Sequence, residues 1–421
     1  MVVVLAVGTS VLDLVLSEFG MSIEALVLIS GVLTSSNFVN AGKNASSLVP
    51  SSRERVADVA RETGDTPQTL EAQCVQAYAA MVHDEYRASL ASAEEMRAAI
   101  QAFCATPTME GLTRARETWT AAREIYGRTE AFRFGNGPID TTRGGTETFI
   151  NAWPVDESYI EPEADSATTG IIRDRTKYPA LGRVILKLHN QRGGETNVCT
   201  GWHAIEFMLW GRDRSETGPG NRNFTDFIDA NSPYAERRRE YLLEITDLLN
   251  EDLARLVKAW APDADNHRRR FEQDPKALRA IIVGAGLLAG FEMSGERLAV
   301  PLETRDQEEE HSCFSDTTHI DFRANIRGIA LVLRGNGVAS MIDVIRVKDA
   351  AAADDLAAAL EKALMAIDAM PFPFDAAIRK EDGTPERKKL TAALEAIETL
   401  GESISRAAKS LGVTVPTEPQ G

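Results

Sequence analysis

The stretch Val75–Phe103, VQAYAAMVHDEYRASLASAEEMRAAIQAF, decides the fold class. Val75, Tyr78, Val82, Ser89, Met96, Ile100 and Phe103 recur at steps of three, four and seven. Such steps return to one face of an α-helix, which turns once in about 3.6 residues. A strand would need alternation at period two, and no segment of the chain sustains it. Pro107 ends this helix, and Leu112, Ala115, Trp119, Ala122, Tyr126 and Thr129 mark the inner face of a second. Scarce aromatics (6%) and recurrent Ala, Leu, Glu and Arg agree with helix. The expected fold class is all-α.

Working outward, the same signals predict helices over 180–190, 201–210, 234–260, 275–300, 319–333, 349–369 and 384–411. Gly211 fits a C-cap for the 201–210 helix. Gly135–Pro179, rich in Gly, Pro, Asp and Thr, reads as a long structured connection, a kind of segment that often carries function. The turn Gly218-Pro219-Gly220 divides the chain into bundles over 67–217 and 221–412, with a tail at 413–421. Both halves run long helix, long helix, polar connection, His-bearing helix, a shared plan that suggests duplication.

The first residues differ from the rest. Val2–Leu16 is apolar but broken by Gly8, Thr9, Ser10 and Asp13, and Ala25–Leu33 has the length of a signal-peptide core. Val39-Asn40-Ala41 follows as a small-x-small cleavage pattern, although no basic residue precedes Lys43. Residues 1–41 therefore read as an atypical export signal or a disordered leader, and 42–66 as a polar linker. Acidic residues outnumber basic ones by 63 to 46, and a net charge of −17 disfavours nucleic acid as a partner. Cys74, Cys104, Cys199 and Cys313 lie far apart; their number permits two disulfides, but no C-x-x-C pair supports a zinc knuckle or redox centre.

The sharpest chemical signal is Gly201-Trp202-His203-Ala204-Ile205-Glu206. On a helix, His203 and Glu206 project from one face, so an imidazole and a carboxylate can meet one cation. A plain His–Glu hydrogen bond inside the core is the alternative. Trp119, Arg123, Tyr126, Glu130 and Arg133 form one stripe on the second helix, which offers Glu130 as a further ligand. Glu292 keeps phase with the apolar stripe Leu278, Ile281, Ala285, Leu288 and Ala299, so it needs either a ligand role or an ion pair with Arg123 or Arg297. The connection Gln307–His319 gathers His311, Cys313, Asp316 and His319, all competent ligands. There the competing explanation is a capping box formed by Thr318 and Asp321. No H-E-x-x-H, G-x-S-x-G or Walker loop is present. Gly284, Gly286 and Gly290 imitate a dinucleotide fingerprint inside an apolar helix, where close helix packing explains them better.

Three blocks in order resemble the imelysin family, nearest its iron-regulated, IrpA-like branch. They are Thr129-Glu130-Ala131-Phe132-Arg133-Phe134 with Gly137-Pro138-Ile139-Asp140, then Gly201–Gly211 with its G-x-H-x-x-E motif, then Glu310-His311-Ser312-Cys313-Phe314-Ser315-Asp316. The resemblance implies a two-domain helical protein, exported to the periplasm or cell surface and linked to iron acquisition. Its ligand would be a metal ion or ferric chelate, and its partner an envelope iron-uptake component. By the motif, His203 and Glu206 take the family's site positions, and Glu130 and Asp140 come from matching blocks. The family also carries a metallopeptidase label. One imidazole among several carboxylates suits iron better than zinc. A zinc peptidase using His203 and Glu206, and a helical interaction module with a structural H-x-x-E, stay open.

Overall fold

The computed structural model describes residues 68–140, 145–163, 168–335, 337 and 339–419. The export-signal and linker assignments lie outside the described residues. Every regular element among the described residues is helical, as the periodicity requires.

Helix α1 (Leu70–Ala105) opens on Thr69, whose hydroxyl accepts from the Ala72 N–H, and α2 (Met109–Gly127) opens on Thr108 in the same way. A 3₁₀ segment, Arg128–Gly135, continues α2 and stops at left-handed Asn136. The described parts of the expected long connection carry short helical turns at Glu147–Ile150, Glu157–Ile160 and Gly170–Arg173. Then come α3 (Gly201–Trp210), α4 (Ala235–Trp260) and α5 (Ala277–Leu287). After α5 the chain winds as a π-helix over Leu288–Ala299 before a last α-turn, Val300–Thr304. Helices α6 (Thr318–Arg334), α7 (Met341–Lys348), α8 (Ala350–Asp368) and α9 (Pro385–Ser410) follow, and shorter helices at Arg183–His189, His267–Gln273 and Phe374–Ile378 lie between the elements named.

Two departures from the sequence reading have local causes. The helix expected over 275–300 changes winding at Leu288. A π turn sets residue i beside i+5, and Glu292 and Arg297 make that pair, with Nε and an Nη at 3.1 and 2.8 Å from one carboxylate oxygen. Helix α7 escaped detection because it is short; a Ser340–Asp343 capping box starts it and Asp349 separates it from α8.

Helix α1 packs on α2 and α4, α3 on α2 and α4, α6 across α2 and the 3₁₀ segment, and α5 with its π extension on α9. Contacts therefore run freely across the Gly218–Gly220 turn, because α4 covers α1 and α3 with Tyr241, Leu242, Ile245, Leu249 and Leu253 buried. The residues from Gln68 onward cluster as one compact unit, without a break at that turn, and duplication of two bundles is not shown. The glycines in and after α5 have the packing origin expected of them: a Cβ on Gly286 would stand 2.8 Å from a Val415 methyl, and one on Gly401 2.8 Å from the Gly290 Cα. Ala277–Thr304 is long and apolar enough to cross a membrane, but 67% of its most apolar window is buried inside the protein, as in a core helix.

Candidate metal-handling site around the H-x-x-E helix

All ten residues of α3 are buried. Trp202 and Trp210 pack edge-on against Trp119 of α2, at centroid distances of 6.3 and 5.2 Å, and the Trp119 indole N–H donates to the Trp202 carbonyl at 3.1 Å. Arg116 donates to the Leu209 carbonyl at 2.9 and 3.0 Å, capping the far end. The helix starts at Gly201, with φ +87°, where a Cβ would lie 2.3 Å from the Ile150 carbonyl oxygen; only glycine fits there. These contacts fix the rotation of α3, and rotation decides where His203 and Glu206 point.

They point at each other. His203 Nδ1 lies 2.9 Å from Glu206 Oε2, and Glu206 Oε1 accepts from the Ser315 backbone N–H at 2.9 Å and its hydroxyl at 2.7 Å. Burial pushes the Glu206 carboxyl up to about 8, against the Ser315 hydrogen bonds, so the group keeps its proton at neutral pH. Burial, followed by the fields of Arg123 and His311, holds the His203 imidazole well below its ordinary value and hence neutral.

The remaining His203 nitrogen, Nε2, faces the Arg123 guanidinium at 3.4 Å. The same guanidinium lies 3.4 Å from the His311 ring, whose centroid is 4.8 Å from that of His203. Arg123 also donates to Asp321 at 3.1 Å and to Asn151. Asp321 takes His311 Nδ1 at 2.9 Å and the Ser312 hydroxyl at 2.5 Å. Burial opposes the Asp321 charge, but Arg123 and His311 overcome it and hold the carboxylate far below its usual range. Burial and the Arg297 field lower His311 to about 4. The capping-box reading of Thr318 and Asp321 is thereby corrected. Asp321 is drawn inward to Arg123, Thr318 donates to Glu310 at 3.0 Å, and α6 starts without a side-chain cap.

Glu130 does not touch the His203 ring directly. Its carboxylate accepts from Arg297 at 2.7 Å and from Asn151 at 3.3 Å, and Asn151 in turn contacts Arg123. Glu130, Asp140 and Glu292 converge instead, with Glu147, on Arg133. Its guanidinium nitrogens stand 3.2 Å from Glu292, 3.4 Å from Glu147, 3.4 Å from Asp140 and 4.0 Å from Glu130. Burial would raise Glu292, but Arg297 and Arg133 bring it to about 2. Glu147 goes the other way: burial raises it to about 7, because Arg133 alone does not offset its carboxylate neighbours. This cluster borders a cleft of about 450 Å³ lined by Arg133, Asp140, Glu147, Glu292, Arg297 and His311, among others.

The other candidates lie elsewhere. His319 packs on Phe372 at 4.7 Å. Asp316 is buried in a left-handed turn, with both carboxylate oxygens lacking a hydrogen-bond partner; burial, then Asp375 and Asp213, push it up to about 7. All four cysteines are free and buried, and burial raises the Cys313 thiol well out of the reactive range. Sequence reasoning missed Asn151 and Glu147, polar residues of the long connection without periodicity or motif to mark them, and named Ser315 only as a member of a family block. Among the described residues no group of three or more His, Cys, Asp or Glu side chains is arranged to hold a metal ion. A guanidinium stands in the two groups bordering this cleft, Arg123 beside His311 and Asp321 and Arg133 among Glu130, Asp140, Glu147 and Glu292.

Comparisons with known proteins agree with this architecture. A family model described as imelysin matches residues 82–404. The chain is 24% identical over 309 residues to iron-regulated protein A of Synechococcus elongatus, covering 68% of this chain and 71% of that one. Among solved structures it is similar to one assigned as an iron-regulated protein A precursor from Parabacteroides distasonis. The TM-score is 0.64 at 16% identity, over 83% of this chain and 97% of the other. An imelysin-like protein from Psychrobacter arcticus gives 0.59 at 14% identity, over 82% and 98%.

Proposed function

The chain belongs to the imelysin family, and from that membership we propose that it is a non-catalytic iron-handling protein of the cell envelope. The observation that carries this reading is the charge of the cleft beside the H-x-x-E helix. Among the described residues its lining includes four carboxylates, Asp140, Glu147, Glu195 and Glu292, against two guanidiniums, Arg133 and Arg297, with His311 also on the wall. Of these carboxylates Glu147 is buried, Asp140 and Glu292 are half-buried and Glu195 is exposed, and such an excess of carboxylates in a cleft favours a further cation. Oxygen donors with one nearby imidazole suit a hard ion such as iron(III). In this reading iron is cargo, presented as an ion or a ferric chelate, and an envelope uptake component would receive it. The names of the relatives, an iron-regulated protein and a precursor, support both the metal and the export.

His203 and Glu206 then serve as positioning residues. As they stand they do not fit a zinc peptidase site. The Nδ1 of His203 and both oxygens of Glu206 are engaged, and the free imidazole nitrogen faces a guanidinium. A hydrolytic metal centre needs several ligands converging on one ion with a position left open for water.

The test is iron binding against peptide cleavage. Purified protein should take iron(III) from its nitrilotriacetate complex, and Glu147→Gln with Glu292→Gln should weaken uptake by about tenfold or more, the scale typical of losing site groups. An unfolded protein substrate should stay intact. Chelator-sensitive cleavage that disappears in His203→Ala would replace this reading with the peptidase.

A further inference from the structure

The contacts of Arg133 are those of a counter-ion in a seat that does not fit it. Four carboxylates surround its guanidinium at 3.2–4.0 Å, yet only Glu292 makes a hydrogen bond with it. Its Nε, buried from solvent, has no hydrogen-bond partner among the described residues, although Asp140 is 3.4 Å away. A guanidinium that truly fits a carboxylate binds through two parallel N–H bonds in one plane. Arg297, a few ångströms off, is more fully hydrogen-bonded: it holds Glu130 at 2.7 Å, Asn325 at 2.7 Å and Glu292 at 2.8 Å, and its side chain is 2% exposed. Arg133 is 18% exposed, rests on the Phe134 ring with its guanidinium 4.7 Å from the centroid, and borders the open cleft. One cation of the pair is fixed and the other has somewhere to go.

We propose that Arg133 is a displaceable cation: a hard metal ion entering the cleft takes Asp140, Glu147 and Glu292, and the guanidinium turns outward. Glu130 and Glu292 keep Arg297, so leaving costs the network one of its two cations, and the metal ion restores the balance. With Arg133 in place no three of these side chains are arranged around a metal, as occupation of the seat by the guanidinium requires. The inference rests on the iron-handling reading and adds that the site is held closed by its own arginine, which keeps the carboxylates paired between cargoes.

Because Arg133 competes with the cargo, its removal should strengthen binding, the reverse of what losing a ligand or an anion-binding group does. Terbium(III), a hard trivalent ion with its own luminescence, is a suitable probe. Arg133→Gln should bind it about tenfold or more tighter than wild type, the competing closed state having been removed. Adding Glu147→Gln should cancel the gain. In the wild type, phenylglyoxal labelling of Arg133 should rise when terbium(III) is added, while Arg297 stays protected; this arm needs no folded variant. Equal or weaker binding by Arg133→Gln, or labelling that falls, overturns displacement alone. Wild-type protein that binds neither terbium(III) nor iron(III) overturns the iron-handling reading itself.

Discussion

At the residue scale, charges in this core are decided by burial and by partners together. His203 and His311 are neutral first because they are buried and then because Arg123 and Arg297 face them, whereas Asp321 stays ionised because Arg123 and His311 outweigh its burial. Glu161 shows the rule away from the cleft. It is 3% exposed and accepts from Arg238, Arg222 and Arg173, with Arg238 at 3.0 and 2.5 Å. Burial would raise it, but the hydrogen bonds and fields of these arginines bring it down to about 2 from 4.5. A folded-state value below the unfolded one adds stability above the unfolded value, lost as pH falls through the folded value. The contribution is on the order of 3 kcal/mol. Glu161→Gln should therefore melt well below wild type at neutral pH. The gap should close between about pH 4.5 and pH 2, where wild type becomes protonated too. A gap that stays constant across that window, in calorimetry or circular dichroism, would remove Glu161 from the account.

At the scale of elements, the site depends on how two helices begin and wind. The phase of α3 is set by Gly201, whose positive φ and contact with Ile150 admit no side chain. Gly201→Ala should cost more than about 2 kcal/mol in denaturant unfolding, combining left-handed strain with the clash. It should also disturb the 2.9 Å His203–Glu206 pair, visible as a shift of the imidazole signals in NMR. An unchanged midpoint would show that α3 can start elsewhere. The π winding over Leu288–Ala299 does similar work for Glu292. An α-helix in phase with Leu278 and Ile281 would carry that carboxylate into the apolar face, whereas the wider turn sets it beside Arg297 and at the cleft. Periodicity thus marked Glu292 as needing a partner, which Arg297 supplies, while misjudging the shape of its helix.

For the whole molecule, the site exists only because distant segments meet: Arg123 from α2, Asn151 and Glu147 from the long connection, His203 from α3, Glu292 and Arg297 from the π-helix, Asp321 from α6. The same interleaving bears on the two-bundle division, which we keep as a proposal about ancestry. Because α4 covers α1 and α3, residues 68–217 produced without the rest should show no cooperative thermal transition. A cooperative, monomeric melt of that fragment would instead establish an independent first domain. The sequence by itself determined the helical class, most helix spans, the family blocks and the residues worth watching, since these follow from local periodicity and motif. It singled out His203, Glu206, Glu130, Asp140 and Glu292 as chemically unusual. Only the tertiary structure decided their partners. His203 closes on Glu206, Glu130 on Arg297 and Asn151, and Asp140 and Glu292 gather with Glu147 around Arg133. The physical reason is that helical spacing fixes the face on which a side chain stands. Which opposite charge waits there depends on packing between elements far apart in the chain.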